Sequence, residues 1–388
     1  MRRRIAGALM VVIAGAGLFG APGAFSHEPD GTLLSRRQTV ALANRIVPRG
    51  KDPSGWGRDV FEALKRNGIR TTRQNVCSVM AVIEQESTFT ANPEVKGLGR
   101  MAEKEIEEKV RSIPLLPAGA HAGVHLFLAT RPSPEKSYLK LIRAAKTERD
   151  LDLVFRNMAF YLFREYATTR LLNTPAVAGR VDAVNPVSTL GSMQVSISYA
   201  AAEVEKAKGR RLTASAIWKL RDELYTRAGG VNYGTRMLLG YHAGYGSRLY
   251  VFADFNAGRF ASRNAAFQHM VAELSGDQLA LDGDLLIYGK GEAQTEPSAT
   301  EKAVRRLGLG LGEKEIRADL LQGKAFGFRD TATYHRVSAA YEKKIGRKAP
   351  YAMVPQIRLK SPKITSNMTT ERFARAVMRR YEKCLKLR

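Results

Sequence analysis

Apolar residues recur at helical spacing near the start of the chain, and the first clear example is "SGWGRDVFEALKRNGI". Its large apolar side chains fall on one helical face, and they are Trp56, Val60, Phe61 and Leu64. Gly68 follows the last periodic residue, where a glycine commonly ends a helix. The pattern therefore predicts an amphipathic helix with Gly68 at its C-terminal end.

The next segment, "TTRQNVCSVMAVIEQES", has the same period but a different ending. Its apolar positions have helical spacing, and they are Val76, Val79, Met80 and Ile83. The run closes with Glu84, Glu86 and Ser87, although a plain amphipathic helix needs no glutamates there. Two residues along a helix turn through about 200°, so the two glutamates face different ways and cannot form a close pair. One of them is a candidate for chemistry.

Most of the remaining chain also has helical patterns, and strand signals are sparse. "ERDLDLVFRNMAFYLFREYATTRLL" predicts a long core helix, and "MAEKEIEEKVRSI" predicts a charged, solvated one. "TASAIWKLRDELYTRAGGVNYGTRMLLGYH" predicts two helices separated at Gly229–Gly230. The best isolated strand candidate is "GDLLIYG". These patterns together predict a mainly α fold.

The first residues have the composition of a secretory signal peptide. Three arginines at positions 2–4 precede an apolar run to about Phe19, and a segment of small residues follows. This order predicts export to the periplasm, with residues 1–26 removed by cleavage after Ser26. The alternative is an uncleaved anchor, but the run is shorter than the roughly 20 apolar residues of a membrane span.

The chain is strongly basic, with 62 Lys and Arg against 37 Asp and Glu and a formal net charge of +25. Charge of this size concerns partners and solubility, not the fold. For an exported protein the candidate polyanions are the cell-wall polymer, acidic lipid head groups and lipopolysaccharide. No nucleic acid partner is expected, since no zinc-finger, homeodomain or RNA-binding signature is found. An ordinary basic surface without a dedicated partner is the alternative.

The chain has two cysteines, Cys77 and Cys384. Disulfides persist outside the cytoplasm, so we expect a bridge that ties the helix containing Glu86 to the C-terminal helix. Two separate buried thiols are the alternative.

Four short boxes occur in order along the chain. They are "EQESTF" at 84–89, "GSMQVS" at 191–196, "VNYGTRMLLGYH" at 231–242 and "FADFNAG" at 252–258. Together they resemble the lytic transglycosylases of the lysozyme-like superfamily, which carry Glu-Ser, Gly-x-Met-Gln, Gly-Thr-Arg-Tyr-Leu and Ala-Tyr-Asn-Ala-Gly boxes. The chain resembles most closely an uncharacterised group of exported bacterial proteins with the same divergent boxes.

The resemblance covers roughly residues 70–100 and 185–270, and it implies a lysozyme-like helical core with a long helical insertion and a C-terminal helical appendage. The expected domain plan starts with the signal peptide at 1–26 and an N-terminal helical segment at 27–69. A lysozyme-like domain at 70–275, with the insertion at about 100–185, and a C-terminal helical region at 276–388 follow.

By this resemblance Glu86 is the catalytic residue. A carboxyl group protonates a glycosidic oxygen at neutral pH only if its pKa is raised, and apolar neighbours and a helix C-terminus both raise it. The family uses one glutamate twice. It donates a proton to the leaving oxygen and then takes one from the C6 hydroxyl, closing a 1,6-anhydro ring on the muramoyl residue. Glu84 is expected to be a structural or solvated charge.

The other box residues are expected to contact or position the substrate. Ser87 would orient the glutamate or contact the sugar, although a helix-ending polar residue explains it equally well. Met193 and Gln194 would line the cleft, with the Gln194 amide offered to N-acetyl groups. Alternatively they simply begin a helix, with Met193 in the core. Asn256 would fix the loop beside the glutamate.

The chain departs from the family in two ways. Phe255 stands where the family has a tyrosine whose hydroxyl commonly bonds near the acid, and Tyr241, Tyr245 or Tyr250 are the candidates to replace it. The spacing from Glu86 to the second box is also far longer than in typical family members, so the insertion must loop out and return.

The N-terminal pattern predicts an exported protein, and the resemblance implies a muramidase that acts on peptidoglycan glycan strands as a lytic transglycosylase. No metal and no cofactor are expected. The first alternative is a non-catalytic wall-binding or envelope-structural protein, which Phe255 favours. The second is a hydrolytic lysozyme. Anionic envelope surfaces are the further expected partner.

Overall fold

A computed structural model describes residues 31–111, 120–289, 292–358 and 368–387. The predicted signal peptide, residues 1–26, lies outside these described residues. Within them the protein is mainly α-helical, which confirms the predicted fold class. No helix in this described part is both long and apolar enough to cross a bilayer.

The described residues form eighteen α-helices and two short antiparallel hairpins. The first nine helices are α1 (Arg36–Ile46), α2 (Pro53–Arg66), α3 (Arg73–Ser87), α4 (Leu98–Arg111), α5 (Ala120–Thr130), α6 (Tyr138–Ala144), α7 (Glu148–Tyr166), α8 (Thr169–Leu172) and α9 (Pro175–Ala183). The others are α10 (Ile197–Lys208), α11 (Ala214–Leu224), α12 (Arg227–Leu239), α13 (Arg248–Ala257), α14 (Ala261–Ser275), α15 (Ala299–Arg306), α16 (Glu313–Leu321), α17 (Ala332–Ile345) and α18 (Thr370–Leu385). Strand β1 (Thr189–Leu190) pairs with β2 (Val195–Ser196), and β3 (Tyr288–Gly289) pairs with β4 (Glu292–Ala293).

Helices α2 and α3 form as their sequence patterns predict. Pro53 opens α2, the Asp52 side chain accepts a hydrogen bond from Gly55 N at 3.0 Å, and Gly68 follows the helix with a φ of 66°. Helix α3 ends at Ser87, and its predicted apolar stripe is fully buried. Local periodicity and capping are therefore sufficient to define both helices.

The prediction of a break at Gly229–Gly230 is wrong. Helix α11 ends at Leu224, α12 begins at Arg227, and both glycines lie in the first turn of α12. Thr226 supplies the missing signal, because its hydroxyl accepts a hydrogen bond from Gly229 N at 3.0 Å and so caps the helix. Position 229 requires glycine, because a Cβ there would lie 2.1 Å from the backbone oxygen of Glu223.

The chain divides into two compact units. In the described residues the first unit is 86–233, and the second comprises 31–85, 234–358 and 368–387. The boundaries fall inside helices α3 and α12, so each of these helices contributes to both units. The segment predicted as an insertion, at about 100–185, forms helices α4 to α9 of the first unit.

The second unit has a core in which helix α14 is central. Phe267, Met270 and Val271 of α14 are buried against side chains of helices α15, α16 and α17, including Ile316 and Val337. The rings of Phe267 and Phe328 meet edge to face at 5.1 Å. Helices α15, α16 and α17 thus share a core with α14.

A disulfide joins Cys77 of α3 to Cys384 of α18, with their Cα atoms 5.6 Å apart. This confirms the predicted bridge. Both cysteines are buried. Because they are 307 positions apart, the bridge ties the last helix to the helix that contains Glu86.

Candidate active site

Helix α3 carries Glu86 in its last turn, and the chain beyond it takes an uncommon course. Thr88 and Phe89 have φ values of 49° and 56°, a region that residues with a Cβ rarely adopt. Phe89 is buried, and Ser87 Oγ accepts a hydrogen bond from Thr90 N at 3.4 Å, which together fix this turn. Such strain costs of order 1–3 kcal/mol a residue and clusters at functional sites.

The "GSMQ" box forms the loop of the β1–β2 hairpin and not the start of a helix. Gly191 has a φ of 74°, and a Cβ there would lie 2.1 Å from Leu224 O, so only glycine fits. Gln194 N donates to Gly191 O at 3.0 Å, and Gln194 itself has a φ of 49°. Met193, expected in a cleft, is fully buried and supports the loop from the core.

Glu148 connects this loop to the segment predicted as an insertion. Gln194 Nε2 donates to Glu148 Oε2 at 3.1 Å, and Thr189 Oγ1 donates to Gln194 Oε1 at 2.9 Å. Glu148 is buried and is the first residue of α7, after the N-cap Thr147. The partial positive charge of a helix N-terminus favours a carboxylate at this position. The Gln194 amide is thus oriented by a partner at each end.

The pKa of Glu86 is strongly perturbed. Burial, and after it the negative charge of Glu148, raises this pKa from 4.5 to about 8. The Glu86 carboxyl is therefore mainly protonated at pH 7, as a general acid must be. Glu84 instead forms an ion pair with Arg380 across 3.6 Å, in agreement with its interpretation as a structural charge.

A buried ion network holds helix α7, and with it Glu148. Asp152, one turn after Glu148, is fully buried and accepts a hydrogen bond from Arg221 Nε at 2.7 Å and from Asn185 Nδ2 at 2.8 Å. Arg221 also pairs with Asp182 at 3.1 Å. The network therefore ties α7 to α9 and α11.

Sequence reasoning missed Glu148 and Tyr225. The Tyr225 hydroxyl is buried and, among the described residues, has no hydrogen-bond partner. Burial is the largest cause that raises the pKa of Tyr225, and the charges of Asp152 and Glu148 raise it further. The segment "TERD" at 147–150 is an ordinary capping box, so only the fold identifies Glu148 as part of a site.

Comparison with known proteins assigns the chain to a family. A family model described as "Protein of unknown function (DUF1615)" matches residues 49–387. The chain belongs to the DUF1615 family. The "Uncharacterized protein YaiW" of Escherichia coli (strain K12) is 39% identical to it over 343 residues, which are 87% of this chain and 86% of that protein. The expected resemblance to an uncharacterised bacterial family is thereby confirmed. No solved structure matches the chain.

The "FADFNAG" box of this DUF1615 protein lies on helix α13, in the second unit. Phe255 is buried, and Asn256 Oδ1 accepts a hydrogen bond from Thr370 Oγ1 at 2.8 Å. The box thus connects α13 to the start of α18. Within the described residues of this DUF1615 member, no three His, Cys, Asp or Glu side chains form a group that could hold a metal ion.

Two of the three tyrosines predicted as candidates to supply the hydroxyl that Phe255 lacks bind Asp254. The hydroxyls of Tyr241 and Tyr245 donate to Asp254 Oδ2 at 3.1 and 2.8 Å. Phe260 N and Ser262 N also donate to this carboxylate, at 2.8 and 2.7 Å. Burial raises the pKa of Asp254 to about 6 despite these donors. In this DUF1615 protein both hydroxyls therefore organise the second unit.

Proposed function

We propose that this DUF1615 protein is a peptidoglycan-cleaving muramidase in which Glu86 is the general acid. The observation that carries the proposal is the half-buried Glu86 carboxyl in the last turn of α3, because burial and the charge of Glu148 raise its pKa to about 8 and so keep a proton on it at neutral pH. The strained turn at Thr88 and Phe89 and the strained Gln194 support it, since backbone strain marks functional sites. The four boxes add the resemblance to lytic transglycosylases.

In the proposed reaction the Glu86 carboxyl protonates the glycosidic oxygen that leaves. The bond from the muramoyl C1 to that oxygen then breaks, and positive charge develops at C1. The Glu86 carboxylate next takes the proton of the muramoyl C6 hydroxyl, whose oxygen attacks C1. The product is a 1,6-anhydro ring, no water is consumed, and Glu86 regains its proton.

Hydrolysis is the second candidate, and Glu148 favours it. Most glycosidases pair the acid with a second carboxylate, which acts as a nucleophile or activates water. Glu148 is a carboxylate whose charge reaches Glu86. In hydrolysis a water molecule would give its hydroxyl to C1 and its proton to this base.

The proposed setting is the periplasm, with glycan strands as the substrate. The N-terminal sequence supports export, because residues 1–26 have the order of a signal peptide. Without the three arginines of residues 1–26, 59 Lys and Arg remain against 37 Asp and Glu, and this net charge of +22 favours contact with anionic envelope surfaces in a salt-dependent manner.

The test is digestion of purified peptidoglycan by the wild type, Glu86→Gln and Glu84→Gln. Glutamine keeps the shape of the side chain but cannot donate a carboxyl proton, so Glu86→Gln should reduce the rate by about 10²-fold or more. Glu84→Gln is the matched control on the same helix and should retain activity. Mass spectrometry separates the two chemistries, since anhydro ends are one water molecule lighter than hydrolysed ends. Equal digestion by Glu86→Gln and the wild type would overturn the assignment.

If no variant releases fragments, pull-down of intact sacculi distinguishes the non-catalytic alternative. Binding of wild type without release of fragments would support a wall-binding protein, the function that Phe255 favours.

A further inference from the structure

The second unit contains a cavity that the proposed chemistry does not use. Its volume is about 540 Å³, within the range of about 300–1,000 Å³ typical of sites for small organic ligands. The wall is formed by residues 68–70 before α3, the first turn of α3, the end of α12, the loop between α12 and α13, Arg248 and Val251 of α13, and Tyr381 of α18. All of these residues belong to the second unit.

The loop that forms one wall of this cavity is held from behind. The hydroxyls of Tyr241 and Tyr245 donate to the buried Asp254, and Tyr351 OH donates to Ala243 O at 3.0 Å. Gly244 has a φ of 70°, and a Cβ there would lie 2.1 Å from the Tyr351 hydroxyl. The wall is therefore pre-organised. Because both tyrosine hydroxyls are engaged with Asp254, the rings are what Tyr241 and Tyr245 offer to a ligand.

The charged groups in the cavity wall are arginines. The lining includes Arg70 and Arg248, and among its described residues there is no Asp or Glu. Asp254, which accepts hydrogen bonds from Tyr241 and Tyr245, is not part of the lining, and four hydrogen bonds satisfy its carboxylate. Electrostatic complementarity therefore favours an anionic ligand.

Arg248 is placed to receive that anion. Its Nη2 donates to Asn75 Oδ1 at 2.8 Å, and Asn75 is itself held by a bond from its Nδ2 to Arg70 O at 2.9 Å. Burial lowers the pKa of Arg248, and Tyr381 partly opposes this. An anion next to a desolvated guanidinium forms a charge-assisted hydrogen bond, which is stronger than a neutral one.

We infer that this cavity is a second binding site, specific for a sugar that bears a carboxylate, with the acid group on Arg248 and the sugar ring against the tyrosines. Aromatic rings, an amide and a guanidinium together match the apolar face, hydroxyls and acid of such a sugar. The choice of a sugar rests on the proposed function, whereas the requirement for an anion rests on the cavity alone.

The test measures, by NMR or calorimetry, the affinities of N-acetylmuramic acid and N-acetylglucosamine for the full mature chain carrying Glu86→Gln. The two sugars differ in the lactyl group that carries the carboxylate. We expect the acid-bearing sugar to bind at least about tenfold more tightly, since a charge-assisted hydrogen bond contributes about that factor or more. Lactate is the third probe and separates recognition of the acid from recognition of the ring.

Two arginine variants and one control locate the site. Arg248→Gln should weaken binding of the acid-bearing sugar about tenfold or more, and Arg70→Gln, at the exposed rim, should weaken it less. Arg66→Gln, an exposed arginine outside the lining, should leave the affinity unchanged. If Arg248→Gln fails to fold, Arg70→Gln decides the outcome.

Equal affinity for both sugars, no binding of either, or the same affinity in Arg248→Gln and Arg70→Gln as in the parent would overturn the inference. The proposed function is tested separately from this inference, by wall digestion. Wall digestion without binding of the acid-bearing sugar rejects only the second site, and binding without wall digestion rejects only the muramidase.

Discussion

Gln194 Nε2 donates a hydrogen bond to Glu148 Oε2 across 3.1 Å, which links two residues 46 positions apart. Gln194 belongs to the "GSMQVS" box, whereas Glu148 belongs to the segment predicted as an insertion. That segment therefore contributes a charge to the candidate site, and that charge acts on the pKa of Glu86.

Glu148→Gln should move the alkaline limb of wall digestion to lower pH. Removing the charge removes one cause of the raised Glu86 pKa, so Glu86 loses its proton at a lower pH. Burial, the larger cause, remains, so the limb should stay above the range of an ordinary glutamate. The measurement is the digestion rate of Glu148→Gln and wild type between pH 5 and about pH 9.

Glu84→Gln is the control for this pH profile, because Glu84 is paired with Arg380. Its alkaline limb should coincide with that of the wild type. An unchanged limb in Glu148→Gln would mean that Glu148 does not influence Glu86 electrostatically.

Glu86→Gln should change the pH dependence of stability even if the protein has no enzymatic activity. The folded pKa of Glu86, about 8, lies above its ordinary value of 4.5, so the folded state binds this proton more tightly than the unfolded state. The group therefore lowers the free energy of unfolding as pH rises from about 4.5 to about 8. Glutamine does not titrate, so the variant should gain stability relative to wild type across this interval.

Urea unfolding at several pH values measures that difference. The two proteins should differ by a constant amount below about pH 4.5, and the advantage of Glu86→Gln should reach its plateau above about pH 8. A difference that stays constant throughout would show that Glu86 titrates normally.

The sequence was sufficient to predict features that depend on local pattern. Helix α3 and the position of Glu86 in its last turn follow from apolar periodicity, and the Cys77–Cys384 bridge follows from the cysteine count and the predicted signal peptide. These signals lie within one segment or in the composition, so no knowledge of the tertiary fold was needed.

Features that depend on distant contacts could not be predicted. Glu148 resembles any acidic residue at a helix start, and its importance comes from a hairpin loop far along the chain. Met193 is predicted either to line a cleft or to lie in the core, and the hairpin directs it into the core. For Glu148 and Met193, contacts between distant segments decide what the local pattern leaves open. The misplaced break at Gly229–Gly230 has a local cause instead, since Thr226 caps helix α12 directly before these glycines.

Replacing Cys77 and Cys384 by alanine should lower the free energy of unfolding by about 4 to 5 kcal/mol. The bridge closes a loop of more than 300 residues, and a long loop loses the most chain entropy when it is closed in the unfolded state. Denaturant unfolding of the double variant checks this value, and Cys77→Ala alone should give nearly the same loss. A double variant as stable as the wild type would show that the bridge contributes nothing.

Arg221→Met should destabilise the first unit by about 2–3 kcal/mol. The variant removes the guanidinium that donates to the fully buried Asp152 at 2.7 Å, whereas the ion pair of Asp152 with Arg156 at 3.0 Å remains. A buried carboxylate that loses one of its two guanidinium partners is less well compensated. Arg164→Met is the matched control, since Arg164 and its partner Glu165 are largely exposed and such pairs contribute about 0–1 kcal/mol. Asp152→Asn in the Arg221→Met background should recover part of the loss, because it removes a buried charge that then has Arg156 as its remaining guanidinium partner. Thermal and urea unfolding of the three variants test this, and equal losses in Arg221→Met and Arg164→Met would reject a stabilising role for the network that holds Glu148.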